Sequence, residues 1–198
     1  MKKQNIFIDF DGTICFDYFW RSSPEKIKGT IVEFLFQNNT YLLEDWMRGQ
    51  KSSEDINKII SSECNLDYNM IWKYFVEDCE NMCVAEDVLS AISSCRKNNT
   101  LILITDNMDS FNRFTKDKLK LTEYFDYIFN SCDYGLLKDD PIQKGLFKKV
   151  IDIHNFDIKK SVLLDNSKKN CDLFSELGGT SFLVKDKRDV ISILKMLG

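Results

Sequence analysis

Asp9 and Asp11 stand two residues apart in the stretch IFIDFDGTI, and Gly12 follows at once. Carboxylates held that close repel, and one keeps its proton unless a cation intervenes. A hard divalent cation such as Mg²⁺ suits the pair, because it takes oxygen ligands and needs few protein groups. Three more polar segments lie beyond apolar runs: Thr105-Asp106-Asn107, Lys138-Asp139-Asp140 and Asp165-Asn166-Ser167. Gathered at one place, they would supply a hydroxyl, a fixed positive charge at Lys138 and a further oxygen ligand from Asp165 or Asn166. The tight turn at Gly12-Thr13 would add backbone N–H groups facing an anion. A cation, a lysine, a hydroxyl and N–H donors around a carboxylate nucleophile make a set for phosphoryl transfer.

The elements that would gather these residues are legible as short apolar runs at 5–10, 100–105, 126–130, 161–165 and 180–184. Most are continuously apolar, as in LILIT and SVLLD, the pattern of strands buried on both faces of a parallel sheet. Helical patterns alternate with them. Ser22-Ser23-Pro24-Glu25 reads as a capping box opening a helix, Asp140-Pro141 as a second helix start, and Gly178-Gly179 as a helix end. In parallel α/β sheets ligands bind beyond the carboxyl ends of strands, where the four polar segments fall. Between the first strand and Thr100 no convincing strand occurs. Helices are expected there at 24–37, 40–48, 53–63, 67–83 and 86–97, more than one crossover requires. The expected fold is α/β: a Rossmann-like parallel sheet of about five strands, with core segments 1–14 and 96–198 and a helical cap subdomain at 15–95.

Composition narrows the partners. A net charge of −4 offers no basic surplus for nucleic acid. No run approaches the length of a membrane span, and the N-terminal apolar run is too short for a signal peptide, so a cytoplasmic location is expected. The seven cysteines are scattered with no CxxC, and His154 is the one histidine, which argues against zinc and against His-based nucleophilic catalysis. Cys79 and Cys83 read as two buried thiols on one helix face. The aromatic cluster Phe16, Tyr18, Phe19 and Trp20 reads as packing between cap and sheet or, in part, as a pocket entrance. Arg21, Arg48 and Lys51 are weaker candidates for contact with a substrate anion.

With these residues in view, the chain resembles the haloacid dehalogenase-like (HAD) superfamily. Asp9-Phe10-Asp11-Gly12-Thr13 resembles its first motif, Thr105 after LILI its second, Lys138 in GLLKDDP its third and VLLDNS its fourth, in the family's order. The insert after the first strand sits where that family carries its helical cap of the C1 type. The resemblance implies that Asp9 attacks phosphorus and that Asp11 protonates the leaving oxygen and then activates water. It implies that Thr105 and the Asp106 amide bind phosphoryl oxygens beside Lys138 and Gly12. It implies Mg²⁺ on Asp9, the Asp11 carbonyl and Asp165 or Asn166. Asn166 replaces an acid usual in relatives, and so brings no charge. An acid at position 11 favours phosphate esters over carbon–halogen bonds. The expected function is a Mg²⁺-dependent phosphatase of a small phosphorylated metabolite, a nucleotide or sugar phosphate, working through an aspartyl-phosphate. The alternatives are a phosphomutase and a non-catalytic phosphate-ligand binder with a weakened metal site. Oligomeric state leaves no trace in the sequence.

Overall fold

The computed structural model describes residues 3–198; Met1 and Lys2, part of the expected first core segment, lie outside the described residues. β1 (Asn5–Ile8) leads into five helices: α1 (Glu25–Ile31, continued by a π-wound segment Val32–Asn38), α2 (Thr40–Met47), α3 (Ser53–Cys64), α4 (Tyr68–Glu80) and α5 (Glu86–Arg96). Then follow β2 (Thr100–Thr105), β3 (Tyr127–Asn130), the single turn α6 (Ser131–Tyr134), α7 (Leu146–His154), β4 (Ser161–Asp165), α8 (Lys168–Glu176), β5 (Thr180–Leu183) and α9 (Lys187–Leu197).

The five strands form one sheet in the order β3-β2-β1-β4-β5, and every neighbouring pair is parallel. β1 lies in the middle with Ile8 opposite Leu103 on one side and Leu164 on the other. Its apolar residues are fully buried because helices cover both faces. Phe7, Ile102, Ile104 and Leu163 meet α7 and α8 through Phe147, Val150 and Phe174; Ile6, Ile8, Leu103 and Leu164 meet α5 and α9 through Val88, Ile92, Val190 and Leu194.

A separate apolar cluster holds the insert together: Trp20, Ile31, Leu35, Trp46, Ile56, Ile60, Ile71 and Phe75 are almost wholly buried against one another. The cap expected over 15–95 is shorter by its packing. Val88, Ile92 and Cys95 of α5 belong to the sheet's cluster, so the helix expected to close the cap covers the sheet instead.

Several local expectations give way to tertiary contacts. The Ser22–Glu25 capping box does not form: Pro24 is the N-cap residue without a side-chain bond, and the Ser23 hydroxyl donates to the Trp20 carbonyl at 2.7 Å. Asp140-Pro141 opens only a turn, and α7 starts at Leu146, because the Asp140 carboxylate accepts from Leu137 N–H and from Arg48. Cys79 is buried in α4, but Cys83 lies past its end and is exposed. Trp20 and Phe19 pack inside the cap, whereas Phe16 and Tyr18 face solvent. The helices expected from 53 and 67 are present, capped by Ser52 and Asp67, Ser52 with a complete capping box to Asp55. Among the described residues no helix is long and apolar enough to cross a membrane.

Candidate active site

The parallel sheet brings the ends of β1, β2 and β4 to one rim. Asp9 follows β1 directly, and its N–H still reaches the Leu164 carbonyl at 2.9 Å. Asp9 and Asp165 are both almost fully buried, and the ammonium of Lys138 lies between them, 2.7 Å from Asp9 Oδ1 and 2.8 Å from Asp165 Oδ2. Lys138 arrives from the loop after α6, which is tied to β2 by the Lys138 N–H donating to Asp106 Oδ1 at 2.9 Å. Burial alone would discourage its charge, but the carboxylates of Asp9, Asp165 and Asp106 together outweigh that and hold it firmly protonated.

Asp165 is the most fully engaged of these acids. Its second oxygen accepts from Ser167 N–H at 2.8 Å, and Asn170 Nδ2 lies 3.2 Å from each oxygen. Asp9 is freer: Oδ2 has only the Thr13 hydroxyl at 3.4 Å. Burial pushes the Asp9 carboxyl above the usual range, and the Lys138 charge opposes that shift. Asp11 has no cation in contact. Asn107 Nδ2 donates to its Oδ2 at 2.7 Å, and burial pushes it up to about 7 against the pull of Lys138. Asp106 is pushed up to about 6 for the same reason.

Thr105 closes β2 beside the carboxylate pair. Its hydroxyl is buried and has no hydrogen-bond partner. A buried hydroxyl without a partner is uncommon, and this one is left free to bond to a ligand. The backbone amides expected to face an anion at Gly12 and Thr13 do not: Gly12 N–H donates to the Cys15 carbonyl and Thr13 N–H to the Phe10 carbonyl, closing the turn on itself. Gly12 matters for another reason. At φ +71° it lies so close to Asn166 that a Cβ would come within 2.2 Å of the amide nitrogen. Asn166 is exposed and sits directly against the carboxylate turn.

Among the described residues no group of three His, Cys, Asp or Glu side chains forms a metal cage. Asp9 Oδ2 is a hard oxygen donor, as are the Asp11 carbonyl and the amide oxygen of Asn166, whose side chain lies against Gly12. They suit Mg²⁺, which commonly binds through few protein groups. Asp165 is instead occupied by Lys138, Ser167 and Asn170.

The weaker candidates are otherwise engaged. Arg21 is drawn to the carbonyls of Asp78 and Asn81, and Arg48 makes a bidentate pair with Asp140 at 2.7 and 2.5 Å. Cys15 is buried and its thiol is pushed up to about 12, which makes it inert. Sequence reasoning missed Asn170 and Ser131. Asn170 lies in the first turn of α8, just beyond the polar segment that ends β4, a place that could have drawn attention; Ser131 carries no such signal.

The cap closes over this rim through one turn. Ser131 Oγ donates to the Met47 carbonyl at 2.7 Å, and Gly49, at φ +68°, approaches so near that a Cβ would stand 2.7 Å from the Cys132 carbonyl. Trp46 and Ser53 donate to Asp109, and Arg113 pairs with Glu54. A cavity of about 410 Å³ remains at the junction, with Arg48, Asp106, Asp139, Lys169 and Asn170 among its lining.

No family model and no curated protein matches this chain. Solved structures do. A HAD-like family hydrolase from Porphyromonas gingivalis is 18% identical, with a TM-score of 0.77 over 100% of this chain and 98% of its own. A HAD family enzyme from Bacteroides thetaiotaomicron, in complex with magnesium and inorganic phosphate, is 17% identical, with a TM-score of 0.71 over 91% of this chain and 93% of its own. A 2-haloacid dehalogenase from Pseudomonas syringae is 13% identical, with a TM-score of 0.61 over the whole of both chains. The likeness extends over nearly the whole length of each structure: the chain has the fold of the haloacid dehalogenase-like hydrolases.

Proposed function

We propose that this protein is a Mg²⁺-dependent phosphatase that hydrolyses a small phosphorylated metabolite, a nucleotide or sugar phosphate, through an aspartyl-phosphate on Asp9. The observation that carries this reading is the different company of two neighbouring carboxylates. Asp9 touches an ammonium group, which favours its ionised, nucleophilic form. Burial favours the protonated form of both, but Asp11 touches only a neutral amide, so no ammonium in contact offsets that preference. Carboxylates whose surroundings differ in this way take different roles in acid–base chemistry.

In the first step an Asp9 oxygen bonds to phosphorus as the ester P–O bond breaks, and Asp11 gives its proton to the leaving oxygen. In the second, Asp11 takes a proton from water, whose oxygen bonds to phosphorus as the bond to Asp9 breaks. Lys138 and the Thr105 hydroxyl hold the phosphoryl oxygens through both steps, with the backbone at Asp106 beside them. Asp9, the Asp11 carbonyl and Asn166 would hold Mg²⁺, with Asp165 fixing Lys138 alongside. When bound, the ion neutralises phosphoryl charge and orients the group for attack.

The helical cap, held against the rim by the Ser131 bond to Met47, supports the choice of a small substrate. The HAD family enzyme from Bacteroides thetaiotaomicron that holds magnesium and inorganic phosphate supports the ligand chemistry. Asp11 separates this reading from dehalogenation, which the Pseudomonas syringae relative represents. Seven free cysteines support a reducing, cytoplasmic setting. The test is phosphate release from a panel of metabolite phosphates with Mg²⁺, with Asp9→Asn as control. Correctly folded protein that releases phosphate from no member would sink the reading.

A further inference from the structure

We propose that Asn107 is a positioning residue for Asp11, and that Ser131 joins its placement to the seated cap. The assignment rests on the phosphatase reading and adds to it the means by which the acid is aimed.

Asn107 lies two residues past β2, 2% exposed, with every polar group of its side chain and amide engaged. Its Oδ1 accepts from Met108 N–H at 2.9 Å. That bond fixes which way the amide faces, so Nδ2 is the atom turned toward Asp11, donating to Oδ2 at 2.7 Å. An amide nitrogen can only donate. Oδ2 therefore stays an acceptor throughout the cycle, and Oδ1 is the oxygen left to carry the proton to and from the reacting groups. Asn107 thus holds Asp11 in one orientation whether or not it is protonated.

The second half of the chain of contacts leaves the sheet. Asn107 N–H donates to Ser131 Oγ at 3.0 Å, and the Ser131 hydroxyl donates to the Met47 carbonyl, at the end of cap helix α2, at 2.7 Å. Ser131 is fully buried, so its hydroxyl has few choices. Its other acceptor is the Asn107 carbonyl itself, at 3.1 Å. With the cap down, the hydroxyl points outward to Met47; with the cap lifted, it turns onto the backbone of Asn107. Seating of the cap and alignment of the acid are coupled through this one serine. A residue that merely capped the end of β2 would bond to nearby backbone alone. Asn107 instead reaches the functional carboxylate and, through Ser131, the lid.

The test uses leaving groups of different basicity. An alkyl phosphate needs a proton on its leaving oxygen, whereas 2,4-dinitrophenyl phosphate leaves as a stable anion. Asn107→Leu keeps the side chain's volume and removes the donor. Its kcat on an alkyl phosphate should fall about 100-fold, the lower end of what a placed acid contributes, while the loss on the dinitrophenyl ester stays below about five-fold. Ser131→Ala should show the same bias at about ten-fold. The bias in Ser131→Ala alone would uphold the assignment if Asn107→Leu failed to fold. Equal losses on both esters in both variants, or no loss in either, would overturn it. A wild-type protein that hydrolyses neither ester fails the phosphatase reading itself, and this assignment falls with it.

Discussion

Lys138 and Arg48 each hold carboxylates, in opposite surroundings. Lys138 sits at the sheet rim, its side chain 2% exposed between Asp9 and Asp165. Arg48 sits at the cap turn, its side chain 21% exposed, forked onto Asp140. Ions taken fully out of water are expensive to keep, and apolar residues of equal volume often serve stability as well or better. A buried ammonium between two acids is therefore weak evidence for stability. It fits a site whose charges await a ligand. Partly exposed pairs like Arg48–Asp140 and Arg113–Glu54 are cheap to break and are screened by salt. They suit a contact that can part and re-form at little cost. The rim is built to stay and the cap turn to let go.

The sharpest way to break this contrast is to remove the group that the rim serves. Asp9→Asn should lower phosphate release by at least about a thousandfold, as loss of a nucleophile does elsewhere; a variant within tenfold of wild type would deny the rim its role. Next, Lys138→Met leaves two buried carboxylates without their partner. Urea unfolding near neutral pH should show a loss of about 3–5 kcal/mol. A loss under about 1 kcal/mol would mean that the rim tolerates change as the cap turn does.

Asp106 tests the rim's burial by titration. In the folded chain it releases its proton at about 6, and unfolded near 4. Between those values the folded chain holds more protons, so stability falls as pH rises. Wild type should lose ground to Asp106→Asn from about pH 4 to about pH 6 and keep a constant gap above about pH 7, read from paired urea curves. A gap that moved in the reverse direction would contradict the buried rim. The smallest effect is expected at the cap: Arg48→Ala should cost about 1 kcal/mol or less, and the cost should shrink further in high salt. A loss as large as that of Lys138→Met would erase the distinction between the two regions.

What could be read from the sequence follows the same division. The central strands β2 and β4 fall where their apolar runs predict, because burial on both faces leaves little else that such runs can do. The four rim segments converge because a parallel sheet has only one carboxyl edge. Local signals failed where a distant partner competed for the same group. Ser23 turned to Trp20, whose backbone at φ +56° folds the linker back on itself, and Asp140 turned to Arg48 across the cap interface. Asn107 could be placed on the rim from sequence, but its bond to Asp11 depends on a register that no local pattern encodes. Ser131 is one hydroxyl among many until the fold sets it under Met47.

Gly49 gives this lid its stopping point. With only a hydrogen in the place of a side chain, it lets the cap descend until backbone almost touches backbone at Cys132. Even one methyl there would act as a wedge and leave the chamber ajar. Gly49→Ala should accordingly expose the segment between α2 and α3 to quicker proteolysis, so one missing side chain decides how tightly the vessel shuts.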